Sequence, residues 1–279
     1  MSMAALPGGA TGGTRGGFGP RWAVSGLFFA NGLMIGSWAP KVPVLMQRLQ
    51  ISEAEAGLLV LVLGLGSVTM MPIFGAIIAR RGSAGPLRRA AVLAAPTLLL
   101  MSLMPGIWSV GLAVFLFGGF VGGMDVAMNA NAVAVERARR RAIMSSCHGF
   151  WSLGAMAGAA AGGILLAGLG ERGHALLVTL AVGGLLWLLL PRVLVDAPHP
   201  EAAPAPLRLP RSPLPYLIGL LALCSMIPEG AIIDWAAVYL RRDLGVTRDC
   251  ARCASCAHNC LKEAHGMSAK PGKVARHAA

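Results

Sequence analysis

The stretch GGMDVAMNANAVAVE, residues 122–136, sets one carboxylate and two amides into a long apolar run, and no charged residue lies between Arg89 and Asp125. Asp125 and Asn129 are four positions apart, so on a helix they share a face. An acid and an amide placed this way can take up a proton and hydrogen-bond a polar solute, or can tie one helix to another. A carboxylate in hydrocarbon costs about 2.5–3.5 kcal/mol or more, so it must face a bundle interior or a water-filled cavity. There it can trade a proton near neutral pH. The competing reading is a structural Asp that pairs with Asn or with a loop arginine near one end of the segment.

Other polar residues in apolar surroundings join it. His148 could gate protons, bind a solute hydroxyl, or hydrogen-bond a backbone carbonyl. Asn31 is mid-segment, with Trp38 seven residues later on the same helical face. Asn31 touches substrate or only glues helices together. Trp38 lines a site or anchors an interface, and Trp151 reads as packing. Glu229 and Asp234 are five residues apart, so on a helix they point about 140° apart and at most one faces a central cavity. Glu229 is favoured because Pro228 beside it can break the helix.

The elements that must hold these residues follow from composition. The chain has 279 residues, 56% hydrophobic and 13% charged, with mean hydropathy +0.66. A soluble domain carries about 25% charged residues, so this chain's solvent is lipid. The net charge of +12 could suggest nucleic acid, but the cations fall in short clusters between apolar runs rather than on one face. Residues 1–20 are Gly-rich and lack the charged region and apolar core of a signal peptide, so they read as a flexible tail.

Seven segments are long and apolar enough to cross a bilayer as helices: about 22–43, 56–79, 90–106, 107–133, 143–168, 174–191 and 215–240. The third carries Pro96 and ends at Pro105–Gly106. Loop charge sets orientation. The second loop holds Arg80, Arg81, Arg88 and Arg89, the fourth Arg137, Arg139, Arg140 and Arg141, and the sixth Arg192, Arg208 and Arg211. The third loop has no cation and the fifth only Arg172, while the first sets Lys41 and Arg48 against Glu53 and Glu55. The even-numbered loops and the N-terminus therefore face the cytoplasm. The expected fold class is an all-α membrane protein: a six-helix bundle over 21–192, a Pro-rich cytoplasmic linker over 193–214, and a seventh helix over 215–242. Six helices followed by a linker suggest one half of a two-fold transporter.

Several motifs in order along the chain carry a family resemblance. GAIIARRG, Gly75 to Gly82, resembles the loop signature of the major facilitator superfamily through Gly75, Arg80 and Gly82, with Ala79 where that signature has an acid. GAMAGAAAGG has glycines at 154, 158, 162 and 163 with the spacing of the superfamily's fifth-helix signature, and Ala159 replaces its proline. DVAMNANAVAVE resembles the fourth-helix motif of the fucose-permease-like branch, and FFANGLMIGSWAPKVP, IMSSCHGFWSLG and EGAIIDWAAVYL are similar to the same region of the family. The resemblance implies a secondary transporter of a small polar solute in a bacterial inner membrane, with Asp125 as its proton and substrate residue. The glycine pairs Gly118–Gly122 and Gly119–Gly123 should supply tight packing.

The C-terminus departs from this pattern. Cys250, Cys253, Cys256 and Cys260 have the spacing of an iron–sulfur ligand run. Against a cluster, Leu261 stands where proline usually follows, no second run exists, and the seventh helix ends in an oxidising compartment. Residues 247–279 hold three of the four lysines and four of the six cysteines. The expectation is a reading-frame shift or misjoined end near residue 247, a non-native or disordered tail over 243–279, and no cofactor. Two alternatives stand beside the incomplete proton-coupled transporter. One is a membrane redox protein using the Cys run, which iron content would reveal. The other is a non-transporting membrane fragment, favoured by absent uptake. No soluble-enzyme site is visible, neither a phosphate-binding glycine loop on a strand nor a nucleophile elbow.

Overall fold

A computed structural model describes residues 19–197 and 212–242. Every regular element among them is helical: α1 (Pro20–Trp38), a 3-10 turn (Ala39–Lys41), α2 (Val42–Leu49), α3 (Glu53–Arg81), α4 (Ala84–Ala94), α5 (Thr97–Leu103), α6 (Ile107–Arg139), α7 (Met144–Leu189), a second 3-10 turn (Leu190–Arg192) and α8 (Leu214–Arg242). Among the described residues, four helical stretches are long and apolar enough to cross a membrane: Glu53–Arg81, Ala84–Leu103, Ile107–Arg139 and Met144–Arg192.

Local chemistry sets the boundaries. Ser52 caps α3, its hydroxyl accepting from the Glu55 N–H while the Glu55 carboxylate accepts from the Ser52 N–H. Gly82 ends α3 at φ +75, a backbone that L side chains rarely adopt. The segment expected over 90–106 is α4 and α5 divided at Pro96, which has no N–H to continue the ladder. The first expected segment likewise passes through the turn at Ala39–Lys41 into α2.

The fifth and sixth expected segments run together as α7. Forty-six straight residues would measure about 69 Å, far beyond a bilayer core of about 30 Å. The chain instead reverses at Gly170, whose φ of 69 and ψ of −179 leave the helical region. Gly162 and His174, on either side of the reversal, face each other. Farther from it, Ala155 lies against Gly36 and Leu189 against Gly26, so both arms run back alongside α1. The first arm is 144–169 and the second 171–189.

Two seams hold the bundle. α1 packs along the first arm of α7, and a Cβ on Gly32 or Gly36 would strike the backbone carbonyls of Trp151 or Ala155. Gly154 and Gly158 return the contact against the carbonyls of Phe29 and Leu33. α3 packs along α6 in the same manner. Gly118 meets the Leu63 carbonyl, Gly122 meets Ser67, Gly123 meets Phe74, and Gly66 meets the Phe115 carbonyl. Gly119 completes the set against Met70. Lipid supplies no hydrophobic drive between helices, so this backbone-to-backbone approach is what holds them.

The loops sort to two ends. Asp196 reaches Ser83, Asn131 reaches both Ser83 and Leu194, and Arg88 reaches Leu190, so the second, fourth and sixth loops share one end. Lys41 and Arg48 meet Ser102 and Glu171 at the other, which joins the first, third and fifth loops. α8 lies beside α2 and the first 3-10 turn, and it runs through Pro228 without the break anticipated there.

Candidate functional site

Asp125 is half-buried on α6. The Asn129 amide donates to the Asp125 carbonyl at 2.9 Å, and the same Nδ2 lies 3.4 Å from Oδ1. The shared helical face is thus a contact. His148, exposed on the first arm of α7, lies within electrostatic reach of Asp125. Its ring stands edge-on to Phe28 of α1 at a centroid distance of 5.2 Å. Acid, amide and imidazole from two helices are therefore gathered beside a third.

Asn31 sits deeper and is only 2% exposed. Its Nδ2 donates to the Val121 carbonyl at 3.1 Å, and its Oδ1 accepts from the Trp151 indole at 2.9 Å. Both ends of the amide are engaged, so Asn31 is a strut running from α7 through α1 to α6. Val121 precedes Asp125 by one turn, so the strut also sets where Asp125 stands. Trp151, expected only to pack, is part of it. Trp38 is 2% exposed and its ring lies 6.2 Å from that of Phe117. It belongs to the core, which corrects its placement as an interface anchor or as part of an open site. Glu229 and Asp234 fall on α8, and their side chains lie outside the described residues, as does the whole Cys250–Cys260 run. Among the described residues no group of three or more His, Cys, Asp or Glu is placed to hold a metal ion.

The loop signature divides. Gly82 needs its positive φ, Arg80 is exposed, and a Cβ on Gly75 would meet open space. With Ala79 in the acid's place, a carboxylate arrives from elsewhere. Asp196 Oδ1 accepts from the Ser83 N–H at 2.8 Å and the Ser83 hydroxyl at 2.8 Å, and from the Ala84 N–H at 3.3 Å, so it caps the start of α4. Asn131 Nδ2 donates to Ser83 Oγ and to the Leu194 carbonyl, each at 2.8 Å. Glu136 does the same for α7, accepting the Ile143 and Met144 N–H groups at 2.6 and 2.9 Å. Those two backbone donors hold its carboxyl below the ordinary carboxylate range.

The opposite end holds a cluster that the sequence reading treated only as ambiguous loop charge. Lys41 is fully buried, 3.6 Å from Glu171 Oε1, and donates to Ser102 Oγ. Arg48 Nε lies 3.1 Å from Glu171 Oε2, while its terminal nitrogens donate to the carbonyls of Met101, Ser102 and Met104 at the end of α5. His174 is buried beside them. The available signal was Glu171 itself, an acid next to the Gly170 reversal.

Consecutive helices long and apolar enough to cross a membrane, held by glycine seams, define the chain as a polytopic membrane protein. The sequence model of the Major Facilitator Superfamily matches residues 24–255, and the chain belongs to that family. It is 39% identical over 232 residues to the uncharacterized transporter y4wD of Sinorhizobium fredii, covering 81% of this chain and 60% of that protein. An uncharacterized MFS-type transporter of Yersinia pestis is 35% identical over 215 residues, covering 76% and 55%. Membrane protein MosC of Rhizobium meliloti is 33% identical over 230 residues, covering 81% and 55%. The matched region thus spans between half and two thirds of each relative's length.

Proposed function

We propose that this chain forms the first half of a proton-coupled secondary transporter for a small polar solute in a bacterial inner membrane, with the N-terminus and the even-loop end in the cytoplasm. The observation that carries the reading is the grouping of Asp125, Asn129 and His148. The acid is half-buried, its carboxylate is touched by one amide, and an imidazole approaches from a second helix. Such a group can hold a proton in one state and a solute hydroxyl or amide in the other. Asn31 positions Asp125 rather than contacting solute, because both of its polar atoms are spent on protein. In this superfamily the second wall of the cavity comes from another six-helix half that rocks against the first.

The test uses a chimera that joins residues 1–213 to the second half of the Sinorhizobium fredii relative, reconstituted with an internal pH dye and a panel of labelled sugars and small polar metabolites. Solute-driven proton uptake should vanish in Asp125→Asn while solute exchange persists. Proton uptake at the original rate in that variant would sink the assignment.

A further inference from the structure

A groove of about 590 Å³ opens between α4 and the second arm of α7, at the even-loop end. Its walls are Val92, Ala95, Leu186, Trp187 and Pro191, and Arg88 stands at its head. It lies on different helical segments from those carrying Asp125 and His148. The surrounding surface is apolar, with Val92, Leu93, Leu180, Trp187 and Leu188 all exposed. Such a surface faces hydrocarbon in a membrane chain.

We propose that this groove seats one acyl chain of an anionic phospholipid whose phosphate pairs with the Arg88 guanidinium. Three observations carry it. Arg88 spends Nε on the Leu190 carbonyl at 3.1 Å, which fixes the guanidinium at the groove head. Among the described residues it has no acidic partner. The same end exposes Arg89 and Arg192, so the local field favours a negative headgroup. The walls below Arg88 offer apolar carbon, which a free inorganic anion would not use. Trp187, 83% exposed, has the amphipathic ring that settles at headgroup level.

The 279-residue chain, carrying a photoreactive phenylalanine analogue at Val92, is placed in nanodiscs of phosphatidylcholine with or without phosphatidylglycerol. Irradiation should attach phosphatidylglycerol in preference to phosphatidylcholine. Arg88→Gln should weaken that preference about fivefold, the weight of one cation near an anionic surface. Gly183→Leu should abolish attachment by filling the groove, and a Cβ added there meets nothing within 4 Å, so the helices have room to stay in place. Arg139→Gln, which removes an exposed cation outside the groove, should change nothing. Equal attachment of the two lipids, an Arg139→Gln loss as large as that of Arg88→Gln, or attachment to a peptide of the chain itself would each overturn the proposal.

Discussion

At the odd-loop end Lys41, Arg48 and Glu171 are drawn inward and paired. At the even-loop end Arg80, Arg81, Arg139 and Arg140 stay exposed, and two acids, Glu136 and Asp196, are spent on backbone N–H groups. The two ends use charge for different ends. A buried pair contributes geometry more than net stability, because the desolvation of both ions offsets most of their attraction. It welds the first 3-10 turn and α2 to α5 and α7 at one depth. An exposed arginine costs nothing to solvate and contributes little to folding, but it opposes translocation of its loop. One end is therefore a rigid weld and the other a set of capped helix starts under a cationic surface.

That contrast can be broken most severely at Glu171. Glu171→Gln leaves the buried Lys41 and the half-buried Arg48 without their counter-charge. The expected loss is about 3–5 kcal/mol, the usual result of stranding one partner of a buried pair, read as a large fall in melting temperature of the detergent-solubilised chain. A loss below that of an ordinary surface change would show that water reaches the cluster.

Asp196→Ala is the matching test at the other end. It removes the acceptor of the Ser83 and Ala84 N–H groups, and helix caps contribute about 0.5–2 kcal/mol. Hydrogen exchange should rise at the start of α4 and leave α1 unchanged. A uniform rise across the bundle would mean that the two ends are not independent.

Glu136 gives a smaller, pH-dependent effect. Its folded carboxyl titrates below the ordinary value of 4.5, so the folded state binds its proton less readily than the unfolded chain. Its stabilisation is therefore present above the unfolded value and fades as pH falls through the lower folded one. Melting temperatures of the natural chain and Glu136→Gln should differ at neutral pH and converge in acid. A difference that persists in acid would remove the charge from the explanation.

The smallest effect belongs to the exposed arginines. Arg139→Cys should leave stability within about 0.5 kcal/mol. In right-side-out cells its thiol should react with membrane-permeant but not impermeant reagents. Labelling from outside would invert the proposed topology.

Much of this was legible in the residues. Apolar length located the helices, and Pro96 and Pro105–Gly106 marked real breaks. The Gly118–Gly122 and Gly154–Gly158 spacings pointed to faces of close approach. Asp125 and Asn129 could be paired from sequence because a four-residue step on one helix is a local matter. Gly32, Gly36 and Gly66 escaped notice. A glycine's meaning depends on which backbone lies opposite, and Trp151 and Ala155 are more than a hundred residues away in the chain.

Composition and hydropathy by themselves determined the solvent, the helical class and the sorting of arginines to alternate loops, because each depends on free energies of transfer that add residue by residue. Only the tertiary structure decided the rest. It turned Lys41 and Arg48 from loop charges into an inward, paired cluster, by bringing Glu171 across from the Gly170 reversal. It made Asn31 a strut, by placing Trp151 and Val121 on either side of it. It brought Asp196 to α4, where no acid stands nearby in sequence. Each of these needs partners from distant parts of the chain at hydrogen-bond distance, and that distance is a property of the packed bundle, to which no spacing along one helix corresponds.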